Sequence, residues 1–170
     1  MMMVGPNCMG VINMAEDVRF NATFAPELPN RGSIGFISQS GALGVAIINI
    51  SRQLGIGLSV FISLGNKADI NANEVIEYLE HDDHTDIIAL YLESVGDPRY
   101  FKELARRVTR KKPIVIVKAG RTEAGAAAAS SHTGALAGLD QAVTALMDQA
   151  GVLRVGSMED VFDILQALKG

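Results

Sequence analysis

The chain reads as an α/β protein, a doubly wound parallel sheet of about five strands with helices on both faces. Three observations predict this. Short apolar runs alternate with stretches of helical spacing about five times. The runs are apolar on both faces, as strands buried beneath helices must be. The polar and glycine-rich segments follow the carboxyl ends of the runs, the edge at which sheets of this kind bind ligands.

The elements follow in order. From Val4 to Phe24 no complete element is legible: Gly5-Pro6-Asn7 is turn chemistry and Val11-Ile12 is only a short apolar pair. Pro26, Pro29 and Gly32 mark a connector, so a domain seam is expected near residues 25–32. Ile34–Ile37 is the first buried strand, and Ser38–Ala42 is a turn. Leu43–Leu54 is helical, with Leu43, Ala46, Ile47, Ile50 and Leu54 on one face and Gly55 as its stop. Leu58–Leu64 is the second strand, and Gly65–Asp69 is a polar loop. Asn73 is expected to cap a helix running to Glu80, with Val75, Ile76 and Leu79 inward. Ile87–Leu92 is the third strand. Asp97-Pro98 opens a helix with Phe101, Leu104 and Val108 inward, and basic residues crowd its end, where the dipole favours cations. Pro113–Lys118 is the fourth strand, Leu139–Gln149 a helix and Val152-Leu153 a fifth, edge strand. Met158–Leu168 is the last helix, with Val161, Ile164, Leu165 and Leu168 inward.

Composition sets bounds. The 170 residues are 48% hydrophobic and 20% charged, enough for a core in one domain of ordinary size. A net charge of −4 gives no basic footprint for nucleic acid. No apolar run reaches the ~18–20 residues of a membrane span, and no secretory leader is legible. The single cysteine, Cys8, excludes an internal disulfide. It fits a reducing compartment, and a cytoplasmic location is expected. Three methionines run straight into a motif, so a fragment boundary with sequence missing before it is expected.

The stretch Gly125–Gly138 surrounds His132 with Ala, Gly, Ser and Thr. Such residues let backbone amides and hydroxyls approach a charged oxygen, which suits a histidine that carries or meets a phosphate. A solvated loop histidine beside an Ala-rich helix is the bland alternative. Ser40, Gly41 and Ala42 head a helix whose unpaired amides would attract an anion; an ordinary cap is the alternative. Glu93 ends an apolar strand at the ligand edge and could hold an imidazole by its Nδ1–H; a solvated loop acid is the alternative. His81 and His84 flank two aspartates at the opposite edge and read as a solvated turn, so no metal site is expected.

Four segments then carry a resemblance: Gly5-Pro-Asn-Cys-Met-Gly10, Ser38-Gln-Ser-Gly-Ala-Leu-Gly44, Tyr91-Leu-Glu-Ser-Val-Gly96 and Ser130-Ser-His-Thr-Gly-Ala-Leu-Ala-Gly138. In this order the chain resembles the ligase-type α region of nucleoside-diphosphate-forming acyl-CoA synthetases, relatives of succinyl-CoA synthetase. Phe61–Asp69 is similar to their acetyl-CoA branch. The resemblance implies a flavodoxin-like fold over residues 32–170, with residues 1–31 as the closing segment of a CoA-binding domain and its linker. It implies that His132 is phosphorylated in turnover and that Glu93 orients it. Ser40, Gly41, Ala42, Thr133 and Gly134 would hold the phosphoryl group, and Asn7 and Cys8 would lie near the acyl and CoA thiol end. The implied reaction converts acyl-CoA, ADP and phosphate to acid, ATP and CoA. It uses no permanently bound cofactor, with CoA, ATP or ADP, phosphate and Mg as substrates of the complete enzyme. The implied partners are an ATP-grasp module on the same chain or a β subunit, and a CoA-binding Rossmann domain, in an oligomer. No nucleic acid or membrane partner is expected. The fragment alone is expected to be inactive. A second reading is a non-catalytic acyl-CoA-sensing module fused to a GNAT acetyltransferase; a third, a flavin-binding or receiver domain, lacks the acidic cluster a receiver needs.

Overall fold

A computed structural model describes residues 2–119 and 140–169. Among them the elements run β1 (Gly10–Asn13), β2 (Phe20–Thr23), β3 (Arg31–Ser38), α1 (Gly41–Gln53), β4 (Leu58–Ser63), α2 (Ala72–Glu80) and β5 (Ile87–Leu92). There follow α3 (Pro98–Val108), β6 (Ile114–Lys118), α4 (Asp140–Ala150), β7 (Leu153–Val155) and α5 (Met158–Lys169). The strands form one sheet in the order β2-β1-β4-β3-β5-β6-β7. β3 to β7 are parallel neighbours, and β1 joins antiparallel to both β2 and β4. The fold class is therefore the expected one, but the sheet has seven strands rather than about five. The two extra strands lie in the segment read as having no complete element. Each has only four residues and carries asparagine, so neither presents an apolar run; cross-strand hydrogen bonding to β4 recruits β1, and β1 in turn recruits β2.

The parallel part, β4-β3-β5-β6-β7, has flavodoxin-like order, in which the chain reverses direction across the sheet between β3 and β5. Loops leaving these two strands part to opposite faces and open a crevice there. One core lies between the sheet and α2, α3 and α4, built on Ile76, Leu79, Phe101, Leu104 and Met147. The other lies beneath α1 and α5, with Phe36, Phe61, Ile47, Val161 and Leu165. β4 is buried at every residue: it is the last strand of the parallel part, and antiparallel β1 covers its outer edge.

Three local expectations are corrected. Asn71, not Asn73, caps α2: its side chain accepts from the Asn73 N–H, and Glu74 reaches back to the Asn71 N–H in a capping box. The buried face of α1 is Gly44, Ile47, Ile48 and Ser51, while Ile50 and Leu54 face outward. On α5, Phe162 takes the buried place assigned to Leu168, which is exposed.

Candidate functional site

At the switch point β3 ends in Ser38 and α1 begins at Gly41, leaving Gln39 and Ser40 as the turn. Ser40 is the N-cap and accepts from the Leu43 N–H at 3.4 Å. The Gly41 and Ala42 N–H groups head the helix, where no preceding carbonyl reaches them. Gly41 lets the preceding segment come close: a Cβ there would lie 3.2 Å from the Met9 backbone nitrogen, a tight contact. The segment before β1 thus lies against the start of α1. It is fixed by hydrogen bonds from the N–H groups of Asn66 and Ala68 to the carbonyls of Pro6 and Gly5, at 2.9 and 3.0 Å. Asn7 Nδ2 donates to Asn66 Oδ1 at 3.3 Å.

Asn7, Cys8, Ser40, Gly41, Ala42 and Glu93 line one cleft of about 530 Å³, together with Gln39, Phe24, Gly65 and Asn66. Six residues singled out in the sequence, drawn from three distant segments, are therefore brought together. His132, Thr133 and Gly134 lie outside the described residues, so their relation to the cleft is a matter for proposal.

Two residues of this site were not singled out from the sequence, although both lie in segments that carry the resemblance. Gln39 is buried, and its Oε1 accepts from the N–H groups of Glu93 and Ser94 at 3.0 and 3.2 Å. Its Nε2 donates to Glu93 Oε2 at 3.2 Å. Lys67 Nζ donates to Gln39 Oε1 at 2.9 Å and to the Ser94 carbonyl at 3.0 Å. Burial pushes the Lys67 ammonium below the ordinary lysine range; the charge of Glu93 opposes this and Lys118 adds to it. Lys118, at the end of β6, is lowered by burial first and then by Arg154, with Asp140 and Glu93 opposing. Lys67 and Lys118 thus both feel the charge of Glu93 at the ligand edge. Apart from the resemblance, the only available hint was a lysine in the loop after a strand, which alone cannot be told from a solvated one.

The opposite edge differs. His81 approaches Glu80 at 3.8 Å and His84 approaches Asp17 at 3.5 Å, both histidines exposed. Among the described residues no group of three His, Cys, Asp or Glu could hold a metal ion. No helix among them is long and apolar enough to cross a membrane.

Comparison with known proteins gives this cleft a setting. A family model, the succinyl-CoA ligase like flavodoxin domain, matches residues 31–168. The ADP-forming acetate–CoA ligase I of Archaeoglobus fulgidus is 47% identical over 161 residues, covering 95% of this chain and 23% of that protein. The α subunit of the ADP-forming acetate–CoA ligase I of Pyrococcus furiosus is 45% identical over 168 residues, covering 99% of this chain and 36% of the subunit. Among solved structures, the dinucleotide-forming acetyl-coenzyme A synthetase 1 of Candidatus Korarchaeum cryptofilum, in complex with phosphate and ADP, superposes with a TM-score of 0.93. It is 42% identical, over 99% of this chain and 36% of that one. The chain therefore spans between 23% and 36% of the length of these relatives. The strand order, the cleft at its reversal and a match over residues 31–168 agree, and the chain belongs to the succinyl-CoA ligase like flavodoxin domain family.

Proposed function

We propose that this chain is the phosphohistidine-bearing domain of an ADP-forming acyl-CoA synthetase. One observation carries the reading: Glu93 and the amide-rich start of α1 share a cleft with Asn7 and Cys8, at the reversal point of the sheet. The identity to ADP-forming acetate–CoA ligases supports it.

In the direction that makes ATP, phosphate attacks the acyl carbon of acyl-CoA. The C–S bond breaks, giving acyl phosphate and the protonated thiol of CoA. The neutral imidazole of His132, a competent nucleophile because its reference pKa is about 6.5, then attacks phosphorus. The P–O bond to the acyl group breaks and the carboxylate leaves. A terminal oxygen of ADP attacks the same phosphorus, the N–P bond breaks, and ATP and free imidazole result. Glu93 accepts the second ring N–H of His132, fixing the tautomer and stabilising the positive charge that forms on the ring. The Ser40 hydroxyl and the Gly41 and Ala42 amides, with Thr133 and Gly134, hold the phosphoryl oxygens, where the helix start adds about half a positive charge. Asn7 and Cys8 lie toward the acyl and thiol end. No permanently bound cofactor takes part; CoA, ADP, phosphate and the Mg that accompanies the nucleotide are substrates.

In this reading residues 1–31 close a CoA-binding Rossmann domain and residues 32–170 form the ligase domain. An ATP-grasp module binds the nucleotide, and this segment alone does not complete the cycle. The coverage of relatives at 23% to 36% of their length supports the need for further modules. The test is incubation of the complete enzyme with labelled ATP and magnesium, wild type against His132→Ala. Acid-labile, base-stable label present in the wild type and lost in the variant is expected; label that persists in His132→Ala overturns the assignment.

A further inference from the structure

Which oxygen of Glu93 is available for His132 is decided by Gln39, which donates to that carboxylate, and by Lys67, which donates to Gln39. Gln39 Oε1 is met by three donors, the N–H groups of Glu93 and Ser94 and the Lys67 ammonium. The amide cannot turn over, because its NH₂ would then face three donors and lose every bond. Nε2 is consequently aimed at Glu93 Oε2, and among the described residues nothing donates to Oε1. Lys67 itself is locked twice. Its ammonium bridges Gln39 to the Ser94 carbonyl, and its backbone holds φ at +54°, a conformation a non-glycine residue keeps only where its surroundings impose it. The bridge spans three loops at the carboxyl edge, those after β3, β4 and β5.

We propose that Lys67, acting through Gln39, is a positioning residue for phosphoryl transfer: it holds Glu93 by one carboxylate oxygen and so presents the other to the imidazole. This rests on the phosphohistidine reading above. Without the ammonium, Gln39 Oε1 loses one of three donors and the Ser94 carbonyl loses its side-chain donor. The carboxylate then samples rotamers that do not meet the ring. The cost falls on the rate of the chemical step rather than on substrate affinity, since neither Lys67 nor Gln39 is required to touch CoA or ADP.

The experiment measures single-turnover formation of labelled phosphoenzyme in the complete enzyme. It compares wild type, Lys67→Met, Glu93→Gln, the double variant and His132→Ala. Lys67→Met is expected to slow labelling by about 10- to 100-fold while the ATP concentration for half-maximal rate stays within about twofold. In the Glu93→Gln background the same substitution is expected to change the rate less than about twofold, because its effect passes through that carboxylate. Labelling by Lys67→Met at the wild-type rate overturns the positioning role. So does a Lys67→Met loss of equal size with and without the Glu93 carboxylate, which marks a general structural effect. Label retained in His132→Ala overturns the phosphohistidine reading, and the positioning role falls with it.

Discussion

Gly65, at the turn out of β4, shows how narrowly single residues shape the cleft. Its φ is +56°, and a Cβ there would lie 2.2 Å from the Pro6 carbonyl oxygen and 2.4 Å from that of Asn7. Both neighbours are backbone, so neither can swing aside as a side chain would. Any side chain at 65 must push the Gly5–Cys8 segment away from the lysine-bearing loop. Gly65→Ala is expected to lower stability by about 1–3 kcal/mol from backbone strain alone. The displaced segment carries Asn7 and Cys8, so the cleft should open in the same step. Urea unfolding checks the first effect, and alkylation of Cys8, expected to be faster in the variant, checks the second. Gly55, also at positive φ but with open space around it, supplies the contrast. Gly55→Ala carries the conformational cost only, and its Cys8 should react at the wild-type rate.

Between elements, the packing of α2 on α3 turns on one buried carboxylate. Glu80 ends α2, and Arg107 of α3 donates from Nε to both of its oxygens at 3.1 and 3.0 Å and from Nη2 at 2.7 Å. Lys111 adds a contact at 3.4 Å. Hydrogen bonds from Arg107 foremost, with Lys111, hold the Glu80 carboxyl below its usual range, against the opposing effect of burial. A depressed carboxylate contributes stability that is present above its unfolded value near 4.5 and is lost as pH falls through the folded value. Glu80→Gln should therefore be less stable than wild type at about pH 7, and the gap should narrow toward about pH 3. Urea midpoints across that range test the sign. At the other end of α2, Asn71→Ala removes the cap and should cost about 1 kcal/mol at any pH in the range. That end of the helix was legible only to within two residues, because Asn71 and Asn73 are equally good caps by residue type. Geometry chooses Asn71, whose oxygen meets the Asn73 N–H at 2.8 Å. β3 to β6 and the helices between them were legible because each writes its own local period. β1 and β2 were not, since strands of four residues are too short to show one. Ser40, Gly41, Ala42 and Glu93 could be singled out because each stands where a strand or helix ends. Lys67 and Gln39 could not: their bond joins residues 28 apart, and that from Gln39 to Glu93 joins residues 54 apart. Contacts at such range depend on strand order, which no local pattern carries.

At the scale of the whole molecule, β1 and the residue just before it are part of the core of the parallel sheet. Ile12 is fully buried, and with Met9 it joins Phe61 of β4 and Ile47 of α1. Gly44 leaves the room for this: a Cβ there would stand 2.8 Å from Met9 Sδ and 2.9 Å from Phe61 Cζ. β1 also covers the edge of β4, pairing Val11 with Ile62 and Ile12 with Phe61. Whatever the order of domains in the complete enzyme, these residues are energetically tied to the sheet that carries Glu93. Ile12→Ala deletes buried methyl and methylene groups in a rigid surrounding and should destabilise by about 2–5 kcal/mol. The same coupling requires that the loss appear in one cooperative transition. Urea unfolding followed both by far-ultraviolet circular dichroism, which reports the whole sheet, and by the reactivity of Cys8, which reports the segment before β1, decides the matter. Coincident midpoints that move down together in Ile12→Ala are expected. Cys8 exposure well before the loss of sheet signal in the wild type would mean that the segment melts on its own. The cleft would then be assembled only when the rest of the enzyme holds Asn7 and Cys8 against the start of α1.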